Sequence, residues 1–144
     1  MIQRIQTLYL VIAVILSLSS LFVFSLWENV SGVQYTSLDL FTVKESYLKL
    51  IPIFFSISGL LSLVSIFLFK KRKRQFVLNR LNILINLILL GVLIYHLLTL
   101  SGETVVSKKG IGGIVPIIVI VLLAIANKAI KRDEDLVKSV DRLR

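Results

Sequence analysis

The sequence predicts an all-α fold: a polytopic transmembrane four-helix bundle of two successive helical hairpins, followed by a short C-terminal amphipathic cytoplasmic helix. Three observations carry that expectation. Of 144 residues, 56% are hydrophobic and only 17% are charged, with a mean hydropathy of +0.91, which leaves too little polar surface to cover a soluble domain. Apolar runs approach the ~20 residues needed to cross a hydrocarbon core of about 30 Å, whereas a soluble amphipathic helix keeps interrupting its apolar face. The basic residues gather on alternate flanks of these runs.

The first span, residues 8–27, reads LYLVIAVILSLSSLFVFSLW; it is uncharged and follows Arg4. Tyr9 and Trp27 bracket it, separated by about 27 Å of helix, a spacing that suits two interfacial aromatic anchors. A cleaved signal is the rival, but the run is long for one, and only Val30, Ser31 and Gly32 resemble a small-residue cleavage site. Residues 28–47 form a polar extracytoplasmic loop with turn-prone Asn29, Ser31 and Gly32. Its VQYTSLDLFTV stretch lacks clean alternation, so a short strand pair and a surface-lying segment both remain open.

The second span covers residues 48–69, with Pro52 in its first turn, where a missing amide proton costs little. A basic cytoplasmic loop, residues 70–80, holds Lys70, Lys71, Arg72, Lys73, Arg74 and Arg80 and no acid. The third span, 81–100, leads through a short loop to the fourth, 111–130, with Pro116 near its start. The tail, 131–144, reads as a separate helix. Asp133, Glu134 and Asp135 sit at its start and Arg142 and Arg144 at its end, as the helix dipole favours. Glu134 and Lys138 are spaced as an i,i+4 pair, and Leu136, Val140 and Leu143 share one face.

Thirteen of the 17 Lys and Arg residues fall on the flanks that place both termini in the cytoplasm; the four others are Lys44, Lys49, Lys108 and Lys109. The positive-inside rule therefore sets the orientation. A net charge of +9 reports topology before it reports a ligand: no nucleic-acid partner is expected, and the anionic lipids of the inner leaflet are. The absence of cysteine excludes disulfides, thiolate metal sites and cysteine nucleophiles. A single histidine, His96, does not furnish a two-histidine haem or metal site. No cofactor or metal is expected.

No Asp, Glu, Lys or Arg lies inside the spans away from their ends, so the embedded carboxylates on which coupled transporters rest are missing. One interfacial histidine makes no catalytic set, and an enzyme is not expected. Asn79, Asn82 and Asn86 place three amides on one face of the third span. Asn127 in the fourth span lies at a similar depth, and interhelical hydrogen bonding is the expected role of all four. Ala13, Ser17 and Ser20, and Ser58, Ser62 and Ser65 beside Gly59, form small-residue faces for close helix approach. Tyr95 reads as an interfacial anchor, and His96 as a hydrogen-bonding or pH-responsive side chain.

Three stretches, MIQRIQTLYL, KKRKRQFVLNRLNILINLILL and ANKAIKRDEDLVKSVDRLR, together resemble a bacterial family of four-span membrane proteins, domain of unknown function 4293. The resemblance covers nearly the whole chain. It implies a bacterial inner-membrane location and supports the span count, but carries no activity and no catalytic residue.

The expected function is that of a non-catalytic accessory subunit or assembly and scaffold factor. Its cytoplasmic face would contact lipid or a membrane or cytoplasmic protein partner through Arg4, Lys70, Lys71, Arg72, Lys73, Arg74, Arg80, Asp133, Glu134, Asp135, Leu136, Val140 and Leu143. The alternatives are an oligomeric transporter or channel component lined by Asn79, Asn82 and Asn86, and a lipid-acting enzyme with a headgroup pocket beside His96.

Overall fold

A computed structural model describes residues 3–29, 31–101, 106–109 and 111–143. Four helices dominate: α1 (Gln3–Phe22), α2 (Leu50–Phe67), α3 (Arg72–Ser101) and α4 (Val115–Arg142). The all-α class is as expected. Helix α1 packs on α2 and α4, and α3 packs on the same two, so the four close a ring. Pro52 and Pro116 each stand within the first turn of their helix, where no intrahelical bond is lost.

Among the described residues, three segments are long and apolar enough to cross a membrane: Ile5–Phe22, Ser46–Phe67 and Arg72–Thr99. The fourth helix is the exception. Its uninterrupted apolar stretch, residues 115–126, covers only about 18 Å, after which Asn127, Lys128, Lys131 and Arg132 follow within the same helix.

Burial is inverted relative to a soluble protein. Ser17, Ser58, Ser62, Asn82 and Asn86 are fully buried, while Leu8, Leu60, Phe67 and Leu98 are more than half exposed. Exposed leucine, isoleucine and valine continue along all four helices, far beyond the few hundred Å² of contiguous apolar surface a soluble monomer tolerates. Lipid is the solvent that removes this cost, and the chain is a membrane protein.

The small-residue faces come together as their spacing implies. The Ser17 and Ser58 hydroxyls lie 3.4 Å apart at the α1–α2 crossing. Beside them Gly59 lets Leu18 approach so closely that an added Cβ would stand 3.0 Å from its Cδ2. Between hydrocarbon-solvated helices, such close backbone approach supplies the packing that the hydrophobic effect does not.

The first span ends earlier than its aromatic bracket suggests. Helix α1 stops at Phe22, and Trp27 lies in β1 (Ser25–Asn29), 6% exposed, rather than at a lipid interface. Strand β1 pairs antiparallel with β2 (Gln34–Thr36) and with β3 (Val106–Lys109), in the order β2-β1-β3. Neither possibility open for the VQYTSLDLFTV stretch describes it fully: only Gln34–Thr36 is strand, its partner β1 comes from the end of the expected first span, Leu38–Phe41 is a 3₁₀ turn, and the second loop adds a third strand. Gly32, at φ 78°, occupies the left-handed region in the β1–β2 turn, where a side chain is strained.

This sheet caps one end of the helices. The Ser37 hydroxyl donates to the Ser20 carbonyl (2.8 Å), tying the loop to the end of α1. Trp27 packs against the His96 ring (centroids 4.6 Å) and Tyr35, and Tyr47 and the His96 Nδ1 share a 2.9 Å hydrogen bond. His96 is therefore a buried hydrogen-bonding side chain, while Tyr95 is 65% exposed.

Outside the candidate spans, Asp39 staples the loop. Its Oδ2 accepts from the Thr36 amide (2.9 Å) and the Thr36 hydroxyl (2.8 Å). These two bonds, the amide's first, hold the carboxyl below the usual carboxylate range. A depressed folded-state pKa contributes order above the ordinary value of about 4 and loses it as pH falls through the folded value. Protection of the Thr36 amide against hydrogen exchange is expected to weaken on acidification below about pH 4. In Asp39→Asn that pH dependence should vanish; unchanged protection across the range in the native chain would discard the staple.

Candidate functional site

The end of the molecule opposite the sheet is where charge and unusual burial converge. A tight turn, residues 68–71, joins α2 to α3, closed by the Lys71 amide donating to the Leu68 carbonyl at 2.8 Å. The expected basic loop 70–80 is therefore mostly helix: α3 starts at Arg72, because residues 72–80 contain no glycine or proline to stop it. Lys71, Lys73, Arg74 and Arg80 are exposed. Lys70 lies 5.9 Å from the Phe69 ring, and the Arg80 guanidinium 4.4 Å from the Phe76 ring. Arg4 lies in the first turn of α1, its side chain outside the described positions, and Arg144 lies outside the described residues.

The tail is not a separate helix. Helix α4 runs unbroken to Arg142, because residues 127–142 carry no glycine or proline and are mostly good helix formers. The acidic cluster thus falls mid-helix, where no dipole end rewards it. Asp133 instead is 8% exposed and faces Arg72 across a 3.4 Å ion pair that pins the start of α3 to α4. That contact is a charge pairing without hydrogen-bond alignment, since Asp133 Oδ2 has no hydrogen-bond partner among the described residues. Glu134 pairs with Lys138 (3.1 Å), as the i,i+4 spacing implies. Two residues expected to face a partner, Arg72 and Asp133, therefore serve each other first.

Beyond Asp133 the helix leaves its neighbours behind. Every residue from 135 to 143 is exposed, including Leu136, Val137, Val140 and Leu143. The projection is about 13 Å of helix. Between its root and the α2–α3 turn lies a depression of about 470 Å³ lined by Phe69, Lys70, Arg72, Lys73, Glu134 and Val137.

Above this charged end the core is polar. The Asn82 Nδ2 donates to the Ser58 carbonyl (3.0 Å) and the Ser62 hydroxyl (2.8 Å). The Asn86 Nδ2 reaches the Ser58 hydroxyl (2.8 Å), the Asn82 Oδ1 (3.0 Å) and the Asn82 carbonyl (2.9 Å). Ser65 donates to the Asn79 Oδ1 at 2.6 Å, and the Gln75 Nε2 donates to the Ser65 carbonyl at 3.0 Å. The asparagine face of α3 is thus matched, turn by turn, to the serine face of α2.

Gln75 was not singled out by the sequence argument, yet it stands four residues before Asn79 and extends the same face by one turn. Gln6, 5% exposed on α1, was missed as well; its spacing from Leu10, Ala13 and Ser17 puts it on the buried stripe. Asn127 is 7% exposed, but its Oδ1 has no hydrogen-bond partner among the described residues, so the cross-helix bond expected of it does not form through that oxygen. Gln6 Nε2, Gln75 Oε1, Asn79 Nδ2 and Asn86 Oδ1 are likewise unmatched. Among the described residues no three His, Cys, Asp or Glu side chains gather where a metal ion would sit.

Long apolar helices with a polar interior, and charge confined to the ends, define a polytopic helical membrane protein. Within that class, the chain belongs to the family described as domain of unknown function DUF4293, whose model matches residues 2–143. No curated protein and no solved structure matches it.

Proposed function

We propose that this is a non-catalytic membrane protein of the bacterial inner membrane, an accessory subunit or assembly and scaffold factor. All four helices cross the bilayer as a bundle, both termini are cytoplasmic, and a protein partner is engaged through the cytoplasmic face. The 13-to-4 division of basic residues supports that orientation. The observation that carries the role is the projecting end of α4, where a helical stripe of Leu136, Val140 and Leu143 is exposed. An apolar stripe at i, i+4, i+7 is the pattern by which one helix seats in another protein's groove, and among the described residues no helix covers it.

Against the transporter reading, the Asn82 and Asn86 Nδ2 groups donate within one chain, while Asn79 Nδ2 and Asn86 Oδ1 stay unmatched among the described residues. Asn82 and Asn86 are fully buried against α2. The His96 ring, beside which a lipid-acting enzyme would hold a headgroup, is hydrogen-bonded to Tyr47 and packed against Trp27. Affinity purification in mild detergent at native abundance tests the proposal. A stoichiometric partner is expected with the native chain and is expected to be lost with Leu136→Glu/Val140→Glu, while melting is unchanged. Consistent recovery of the native protein alone would reject the role.

A further inference from the structure

The groove between α1 and α4, on the side of the ring away from the α2–α3 turn, has the composition of a lipid site. It encloses about 330 Å³ and is lined by Ile5, Tyr9, Ile125, Lys128, Ala129 and Arg132. Ile125, Lys128, Ala129 and Arg132 fall at i, i+3, i+4 and i+7, one face of α4, and Ile5 and Tyr9 are one turn apart on α1. Along α4 the lining therefore changes from apolar at Ile125 to cationic at Lys128 and Arg132 within about two turns. That gradient matches the passage from hydrocarbon to headgroup.

The two cations are exposed and have no carboxylate ion pair among the described residues. Asp133 is committed to Arg72 and Glu134 to Lys138. Asp135 lines an adjoining depression with Lys128, Lys131 and Arg132 without an ion pair to them among the described residues. Positive charge is thus left uncompensated at the head of an apolar groove.

The geometry points to a bound anionic phospholipid, its phosphate held by Lys128 and Arg132 and one acyl chain lying against Ile5, Ile125 and Ala129. An arginine fork and a lysine ammonium one helical turn apart together match a phosphate in charge and donor geometry. The apolar half of the lining is what separates a lipid from free phosphate, which gains nothing from Ile5 or Ile125. This site is distinct from the basic α2–α3 turn and does not depend on the protein partner proposed above.

Native mass spectrometry of the full chain, released from neutral detergent with added lipid, tests it. Phosphatidylglycerol is expected to stay bound in preference to phosphatidylcholine, and glycerol phosphate at the same concentration is expected to leave no adduct. Lys128→Ala/Arg132→Ala should weaken phosphatidylglycerol retention by about tenfold or more. Lys44→Ala/Lys49→Ala, which removes equal charge at the opposite end of the helices, should change it less than twofold. Ile125→Trp, which fills the groove without changing charge, should also reduce retention and so keeps the test open if the double variant misfolds. Equal retention of the two lipids, equal binding of glycerol phosphate, or equal losses from the two double variants would overturn the site.

Discussion

Asn82→Leu is expected to lower the stability of the folded helices by about 2 kcal/mol or more, the largest effect of any single side chain in the core. Leucine is close to asparagine in size, so the substitution isolates hydrogen bonding from packing. It removes the donor to the Ser58 carbonyl and the Ser62 hydroxyl, and the Oδ1 that accepts from Asn86. Interhelical bonds in membrane proteins contribute only about 0.6 kcal/mol on average, because helices separated in lipid find other partners. Asn82 exceeds that mean by sitting at the centre of the set: its loss strands fully buried groups on two helices. Titration of the folded fraction with a denaturing detergent measures the change. A shift under about 0.5 kcal/mol would mean the amide ladder contributes register but not stability.

That ladder was half legible. Asparagines at i, i+3 and i+7 in an otherwise apolar span have few places to go, so their burial and their interhelical role follow from spacing alone. Their partners do not: Ser58, Ser62 and Ser65 repeat at a matching interval on the preceding span, but small residues there read as close-approach packing before they read as hydrogen-bond partners. What periodicity does not reveal is which helix pair meets, and here the chain's short 68–71 turn decides it by forcing α2 beside α3. Gln6 and Gln75 escaped notice because each lies near a charged end, where glutamine is ordinarily a solvated residue.

Two other misjudgements share one physical cause. Charge clusters suggest where helices stop, so the sequence predicts a loop at residues 70–80 and a new helix start at Asp133. Charge, however, only moves a segment out of hydrocarbon. It does not break a helix, and without glycine or proline the hydrogen-bond ladder runs on into water. Trp27 illustrates the converse. An aromatic at the correct distance for an interface was drawn instead into the cap, where Tyr35 and His96 offered a ring stack that lipid headgroups do not. The third strand rests on residues about 80 positions away from β1 in sequence, and no local pattern announces a pairing at that distance.

Two glycines are expected to respond to the same substitution with opposite signs. Gly112 lies in the 3₁₀ turn Ile111–Gly113 ahead of α4, where it passes under β1. A Cβ there would stand 2.8 Å from Leu26 Cδ2 and 3.0 Å from the Ser25 carbonyl oxygen. Leu26 Cδ2 is the end of a side chain, but Leu26 is 1% exposed and has nowhere to turn, and the Ser25 oxygen belongs to the strand backbone. Gly112→Ala must therefore push α4's entry away from the sheet, at a cost of about 1–3 kcal/mol. Gly91, mid-way along α3, has no atom within 4 Å of the same added carbon and faces outward. Gly91→Ala replaces the poorest ordinary helix former with the best and should gain up to about 1 kcal/mol. Paired melts of the two variants in one detergent read the contrast. A neutral Gly112→Ala would show that the sheet is not seated on the start of α4, and so that the cap and the helices it covers fold independently.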